Sequence, residues 1–207
     1  EEGKIPFSHV HALRTRKEIM ETSKEGEVET LKLIVGYIKD HMLDYNASAI
    51  SWIIIRDKKG RSPLHLAAKH GHLNIIQFIY QEIINMTKHV FARKKFIDSI
   101  DDKKRTPLFY AAVGGHSKVV CFLIKREASL ESCTSENGST ALMVSAQKNK
   151  VKCFEILLEA RADLSSRRKD GADALYMAAR YGNNEIIKFK TSISDQIHRV
   201  IGKIGDF

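Results

Sequence analysis

Apolar residues in this chain fall into short helical stripes, each preceded by a capping residue and closed by a left-handed stop. Behind Ser62-Pro63, Leu64, Ala67 and Ala68 recur at helical spacing. That order suits an N-cap residue followed by proline at the first helical position. Gly71 then offers a stop in the left-handed region, and Ile75, Ile76 and Ile79 open a second stripe. The pattern returns with Thr106-Pro107-Leu108, Ala111, Ala112 and Gly115, followed by Val119, Val120, Leu123 and Ile124. A third copy has Thr140 as its cap, Asn149 as a weaker stop, and Val151, Phe154, Leu157 and Leu158 behind it. A fourth starts at Asp173, stops at Gly182 and continues to Ile186 and Ile187. Successive starts lie 44, 34 and 33 residues apart, so the first interval holds one period plus about 11 extra residues. Short turn segments, Ala128-Ser129-Leu130 and Ala162-Asp163-Leu164, follow second stripes, and Asp57, Asp101 and Asp170-Gly171 stand at repeat entries. The alanines keep the first helix slim where another helix approaches. No single helix pair can bury such a face alone, whereas stacked pairs can.

These blocks resemble the ankyrin repeat, whose mark is a T-P-L-H-x-A helix start on a 33-residue period. Ser62-Pro63-Leu64-His65-Leu66-Ala67 with Gly71-His72 carries the likeness most closely, and Thr106-Pro107-Leu108 with Ala111, Ala112 and Gly115-His116 carries it well. The resemblance covers about Asp57 to Phe189. A degenerate first repeat precedes it: Gly26 matches Gly71, Ile19 matches Leu64, and Val28, Leu31, Leu33 and Ile34 take second-helix positions. At the other end Ile193, Ile197, Val200, Ile201 and Ile204 recur at helical spacing, although Lys190 and Thr191 stand where the family has leucines. The expected fold is all-α: an ankyrin-repeat solenoid of about five helix-pair repeats with turn or hairpin loops and helical caps. It forms one domain over residues 1–207. Its parts are a degenerate capping repeat with an insertion (1–56), a repeat with an insertion (57–100), repeats at 101–134, 135–167 and 168–190, and an amphipathic cap helix at 191–207.

Two insertions depart from the family pattern. One lies between Lys39 and Arg56 and contains Trp52, Ile53, Ile54 and Ile55; the other runs from about Gln81 to Phe96. The continuing apolar pattern of Phe78, Ile79, Ile83, Ile84 and Met86 predicts that the second lengthens a helix, and both are expected to be partly helical and packed. The alternative makes Trp52 or Phe91 an exposed aromatic anchor for a partner.

Composition narrows the functional classes. Apolar residues at 43% and charged residues at 29% describe a folded, water-facing chain, and 3 prolines and 12 glycines are too few for a turn-rich β-sandwich. The longest apolar run, Ala49 to Ile55, is too short to span a bilayer. Three widely spaced cysteines, Cys121, Cys133 and Cys153, do not form a disulfide framework and fit a reducing, intracellular compartment, the cytoplasm or alternatively the nucleus. Lacking an initiator Met, the chain is expected to belong to a longer protein. It has no H-E-x-x-H, no paired C-x-x-C and no Walker-type glycine loop, so no catalytic residue, metal site or cofactor is expected. The pair His70 and His72 suggests zinc, but the resemblance implies structural roles for His72, His116 and His65. Cys121 and Cys153 fall in second helices and read as core.

The formal charge of +9 opens the way to acidic partners. In ankyrin-like stacks the turn tips and the exposed side of the first helices form a groove. By position this implies Lys58, Lys59, Arg61 and Lys69 in the first clear repeat, and Asp102, Lys103, Lys104, Arg105 and Val113 in the next. Glu136, Asn137, Ser139 and Gln147 follow, then Lys169, Asp170, Ala172 and Arg180. The expected partner-binding cations are Lys58, Lys59, Arg61, Lys69, Lys103, Lys104, Arg105, Lys169 and Arg180, with Lys94 and Lys95 extending the patch. The expected function is non-enzymatic recognition of an acidic or phosphorylated protein segment by a monomer. Alternatives are nucleic acid or anionic lipid binding through the same charge, or regulation of an enzyme or channel domain in a larger chain. Nucleic acid is disfavoured because no aromatic residue interleaves the basic tips to stack bases.

Overall fold

The computed structural model describes residues 9–41, 52–86 and 90–188, and all regular structure among them is helical. Helices α1 (His9–Glu25) and α2 (Val28–His41) form the first pair, and α3 (Pro63–His70) and α4 (Leu73–Met86) the second. An additional helix, α5 (Val90–Ile97), precedes α6 (Pro107–Gly114) and α7 (Ser117–Lys125). Helices α8 (Ala141–Gln147) and α9 (Val151–Glu159) follow, then α10 (Ala174–Arg180) and a helical segment at 184–188. No described helix is long and apolar enough to cross a membrane.

The caps behave as the sequence predicts. Extended Ser62, Thr106 and Thr140 accept through their hydroxyl oxygens from the amides of His65, Phe109 and Met143, at 3.4, 3.2 and 3.4 Å. Asp173 accepts from Tyr176 N at 2.8 Å. Each oxygen satisfies one of the amides that a helix start leaves unbonded. The stops are left-handed, with φ of 82° at Gly71, 80° at Gly115 and 51° at Asn149. Gly71 is required twice over: besides its positive φ, a Cβ there would lie 2.4 Å from Nδ1 of His116 in the next repeat. Gly26, with φ of 87°, meets His72 in the same way, which identifies the first pair as an equivalent unit.

First helices α1, α3, α6, α8 and α10 pack successively on one another, and second helices lie along one side of them. Ile19, Leu64, Leu108 and Leu142 are buried at matching positions, and Ala67, Ala68, Ala111, Ala112, Ala146 and Ala178 are fully enclosed. Polar clamps tie neighbouring repeats. Nε2 of His72 donates to the Lys24 carbonyl at 2.8 Å and Nε2 of His116 to the Lys69 carbonyl at 2.9 Å. Asn183 Nδ2 does the same to Ala146 O at 2.6 Å.

One expectation changes, and one alternative falls away. Leu33 is 75% exposed, whereas Leu31, Val35 and Ile38 are buried. Two residues along a helix is about 200° round it, so Leu33 cannot share the face of Leu31. Trp52 is fully buried, its ring stacked on Phe78 with centroids 6.1 Å apart, so it is a packing residue and not an exposed anchor. The second insertion does lengthen a helix: α4 runs to Met86, and α5 anchors itself through buried Ile97. The side chain of Phe91, residues 42–51 of the first insertion and the cap expected at 191–207, with Lys190 and Thr191, lie outside the described residues.

Substituting Ala67→Leu should overfill the contact between first helices and destabilise the chain by about 1–3 kcal/mol. A clear fall in the urea midpoint with an unchanged slope is expected; an unaltered midpoint would mean the site has room for a larger side chain.

Candidate functional site

The turns before α3 and α6 are built alike around an aspartate, partly exposed at Asp57 and buried at Asp101. In the first, Asp57 Oδ1 accepts from the amides of Lys59 and Arg61, both at 2.9 Å, and Oδ2 accepts from Arg61 Nε at 2.7 Å. In the second, Asp101 Oδ1 accepts from Lys103 N at 2.9 Å and Arg105 N at 2.8 Å, and Oδ2 from Arg105 Nε at 2.8 Å. Tyr110 adds a hydroxyl donor to Oδ2 at 2.8 Å, and the Arg105 guanidinium lies over its ring, 5.0 Å from the centroid. Burial works to raise both carboxyl pKa values, but the arginine and amide hydrogen bonds outweigh it and hold both below the ordinary value. Burial, then the bond to Asp101, pushes the Tyr110 hydroxyl up to about 12.

Neighbouring tips are laddered through backbone bonds. Asp102 N donates to Lys59 O at 3.2 Å, Ser135 N to Lys103 O at 2.9 Å, and Lys169 N to Asn137 O at 3.0 Å. His65 joins tip to helix. Its Nδ1 accepts from Ser62 N at 3.1 Å and its Nε2 donates to the Arg105 carbonyl at 3.0 Å, which fixes the neutral Nε2–H tautomer. Burial is the chief cause that lowers its pKa to about 4.

The nine cations expected to bind a partner therefore divide. Arg61 and Arg105 turn inward onto Asp57 and Asp101 and hold the tips together. Lys103 pairs with Glu136 of the next tip, and Lys169 Nζ donates to the Ser135 carbonyl. Lys58, Lys59, Lys69 and Lys104 are exposed and have no carboxylate partner among the described residues. Arg180 is exposed at the end of α10, in the last described repeat. Lys94 faces a separate cavity in the second-helix layer.

Lys58 and Arg61 border a groove of about 590 Å³ between the first described tip and α1. Its other cations are Arg16, Lys17 and Lys24 of α1 and Arg56; Glu21 and Asp57 are its acids, and Met20 and Leu66 supply apolar floor. Asp57 is engaged by Arg61, and Glu21 lies 3.9 Å from Lys17. The field converges on Lys69, whose pKa is lowered first by partial burial and then by repulsion from Arg61, Lys59, Arg105 and Lys24. Farther along the tips, Lys104, Arg167, Arg168 and Lys169 border a cavity of about 490 Å³. The α1 contribution escaped the sequence reading, although Arg16, Met20 and Lys24 share one helical face by their four-residue spacing.

Among the described residues no cluster of three or more His, Cys, Asp or Glu is arranged to hold a metal. His70 and His72 stack with centroids 6.2 Å apart, but Nε2 of His72 is occupied by the Lys24 carbonyl. Burial pushes the Cys153 thiol up to about 11, away from nucleophilic use.

A helix pair stopped by a left-handed residue, repeated and laddered through its turns, is the architecture the sequence resemblance implied. The model of the family described as ankyrin repeats (3 copies) matches residues 19–132 and 127–189. The chain belongs to the ankyrin-repeat family. The match includes α2 and the last seven residues of α1, Ile19–Glu25, so it reaches into the degenerate first pair. Ankyrin repeats are generally protein–protein interaction modules.

Replacing Asp101 by Asn should destabilise the ankyrin stack by about 3 kcal/mol, because a fully buried carboxylate would leave Arg105 and Tyr110 short of a partner. Asp57→Asn, at a more open tip, should cost less; equal urea midpoints for the two variants would contradict the clamp. His65 makes a separate prediction. Its folded pKa is lowered, so its stabilising effect is complete above the unfolded value near 6.5 and is lost as pH falls towards about 4. The loss should be on the order of 3 kcal/mol. His65→Gln should flatten thermal stability between those limits, and an unchanged pH slope would refute the assignment.

Proposed function

We propose that this ankyrin domain recognises an acidic, extended segment of a partner protein, without catalysis of its own. The segment lies along the first helices and tips, and one apolar side chain rests on Met20 and Leu66. The observation that carries this reading is the convergence of unpaired Lys24, Lys58, Lys59 and Lys69 beside a groove with an apolar floor. Like charges gathered without carboxylate partners repel one another, so the cluster contributes little to folding. An anionic segment would relieve that repulsion. Exposed ion pairs contribute only about 0–1 kcal/mol each, so affinity requires several together plus the apolar contact. Among the described residues no aromatic side chain borders the groove, which favours an acidic peptide over single-stranded nucleic acid.

The test spares Arg61 and Arg105, whose loss would disturb the tips. A fluorescent peptide of mixed Glu and Asp around one Leu should bind, and binding should weaken steeply as salt shortens the screening length to about 8 Å. Lys58→Glu combined with Lys69→Glu should weaken it about tenfold or more with an unchanged circular dichroism spectrum. Salt-independent binding, unaltered affinity in the double variant, or tighter capture of an oligonucleotide of equal charge would each overturn the reading.

A further inference from the structure

The second insertion builds a basic cavity on the second-helix layer, away from the groove. Arg93 and Lys94 of α5, Lys125 at the end of α7 and the following Arg126 surround about 200 Å³, with Tyr80 of α4 and Glu127 completing the wall. Lys94, Lys125 and Arg126 have no carboxylate in ion-pair range among the described residues. The carboxylate nearest in sequence to Lys94, Asp98, accepts from Ser129 N at 2.8 Å, a bond that ties the end of α5 to the turn after α7. A helix C-terminus attracts a cation of its own, but here two helix ends and the residues beside them deliver four to one cavity.

Arg126 is held in position. Its guanidinium carbon lies 4.8 Å from the Tyr80 ring centroid and 5.2 Å from that of Phe122. Those rings meet edge to face, 5.8 Å apart at 89°. A guanidinium stacked on rings keeps its N–H edge available, and that edge matches two oxygens of a phosphoryl group. The cavity is smaller than the roughly 300–1,000 Å³ that encloses a drug-sized ligand, so it suits a compact anion and not an extended organic molecule.

We propose that this cavity binds the phosphomonoester of a phosphorylated serine or threonine on a partner protein. Arg126 grips two of its oxygens, and Lys94 and Lys125 neutralise the dianion. A membrane headgroup fits less well. Among the described residues, the large apolar side chains that are exposed, among them Leu33, Ile54, Ile100 and Tyr181, do not border the cavity, and a bilayer-binding face would need an apolar side chain to insert there. The inference is independent of the groove and uses none of its residues.

The experiment titrates the ¹⁵N-labelled chain with a short phosphoserine peptide flanked by glycines, with the same peptide unphosphorylated, and with vesicles bearing a phosphoinositide. Saturable shifts are expected at the amides of Lys94, Lys125 and Arg126 with the phosphopeptide alone, and inorganic phosphate should compete them away. Lys94→Glu with Lys125→Glu should weaken binding about tenfold or more without altering the rest of the spectrum. Arg126→Lys keeps the charge but not the stacked fork, and should cost a smaller factor. No saturable shift, equal shifts from the unphosphorylated peptide, or preferential binding to the vesicles would overturn the proposal. Shifts confined to Lys58 and Lys69 would also overturn it, while leaving the groove reading intact.

Discussion

Each helix pair in this chain leaves an apolar face that only the next pair can cover, and the rest of the structure follows from that need. First helices must come close, so their facing positions are alanine at Ala67, Ala68, Ala111 and Ala112, all fully enclosed. Close approach also fixes the backbone at the helix ends. Gly26 and Gly71 leave the space into which His72 and His116 of the following repeats fit. Those histidines then satisfy helix-end carbonyls that would otherwise lack partners. Apolar stacking and polar clamping are therefore parts of one contact.

The same contact sets what the tips can offer a partner. Tips laddered by backbone bonds stand side by side, which brings together cations that lie far apart in the chain. The stack spends some of that charge on itself, since Arg61 and Arg105 neutralise the aspartates around which two turns are folded. The remaining lysines gather near Lys69 and, across from α1, around an apolar floor. A surface of this kind carries net positive charge because its cations outnumber its acids, and the acids present are already engaged.

The insertion after α4 works on the other layer. It adds a helix whose end is tied to the turn after α7 through Asp98 and Ser129. The extra residues leave the tip geometry intact, because Asp102 still bonds to Lys59 across the 43-residue separation. A solenoid tolerates such an addition because each repeat answers only to its neighbours.

Local sequence determined the elements. Ser62, Thr106 and Thr140 as caps, Gly71, Gly115 and Asn149 as stops, and the alanine and isoleucine stripes between them express preferences within a few residues, so they are legible one repeat at a time. The period then dictates stacking, and with it the family. Side-chain commitment was not legible, because it depends on which neighbour a group meets. A basic residue is a structural clamp at Arg105, an exposed charge at Lys58 and part of a separate cavity at Lys94. Trp52 was expected to pack, with an interface anchor as the alternative, and its contact with Phe78 decided the matter. The groove wall from α1 was hidden for a related reason, since the degenerate first repeat lacks the motif that aligns it. Backbone preference is short-ranged and survives in the sequence, whereas pairing and burial are properties of distances that exist only once the repeats are stacked.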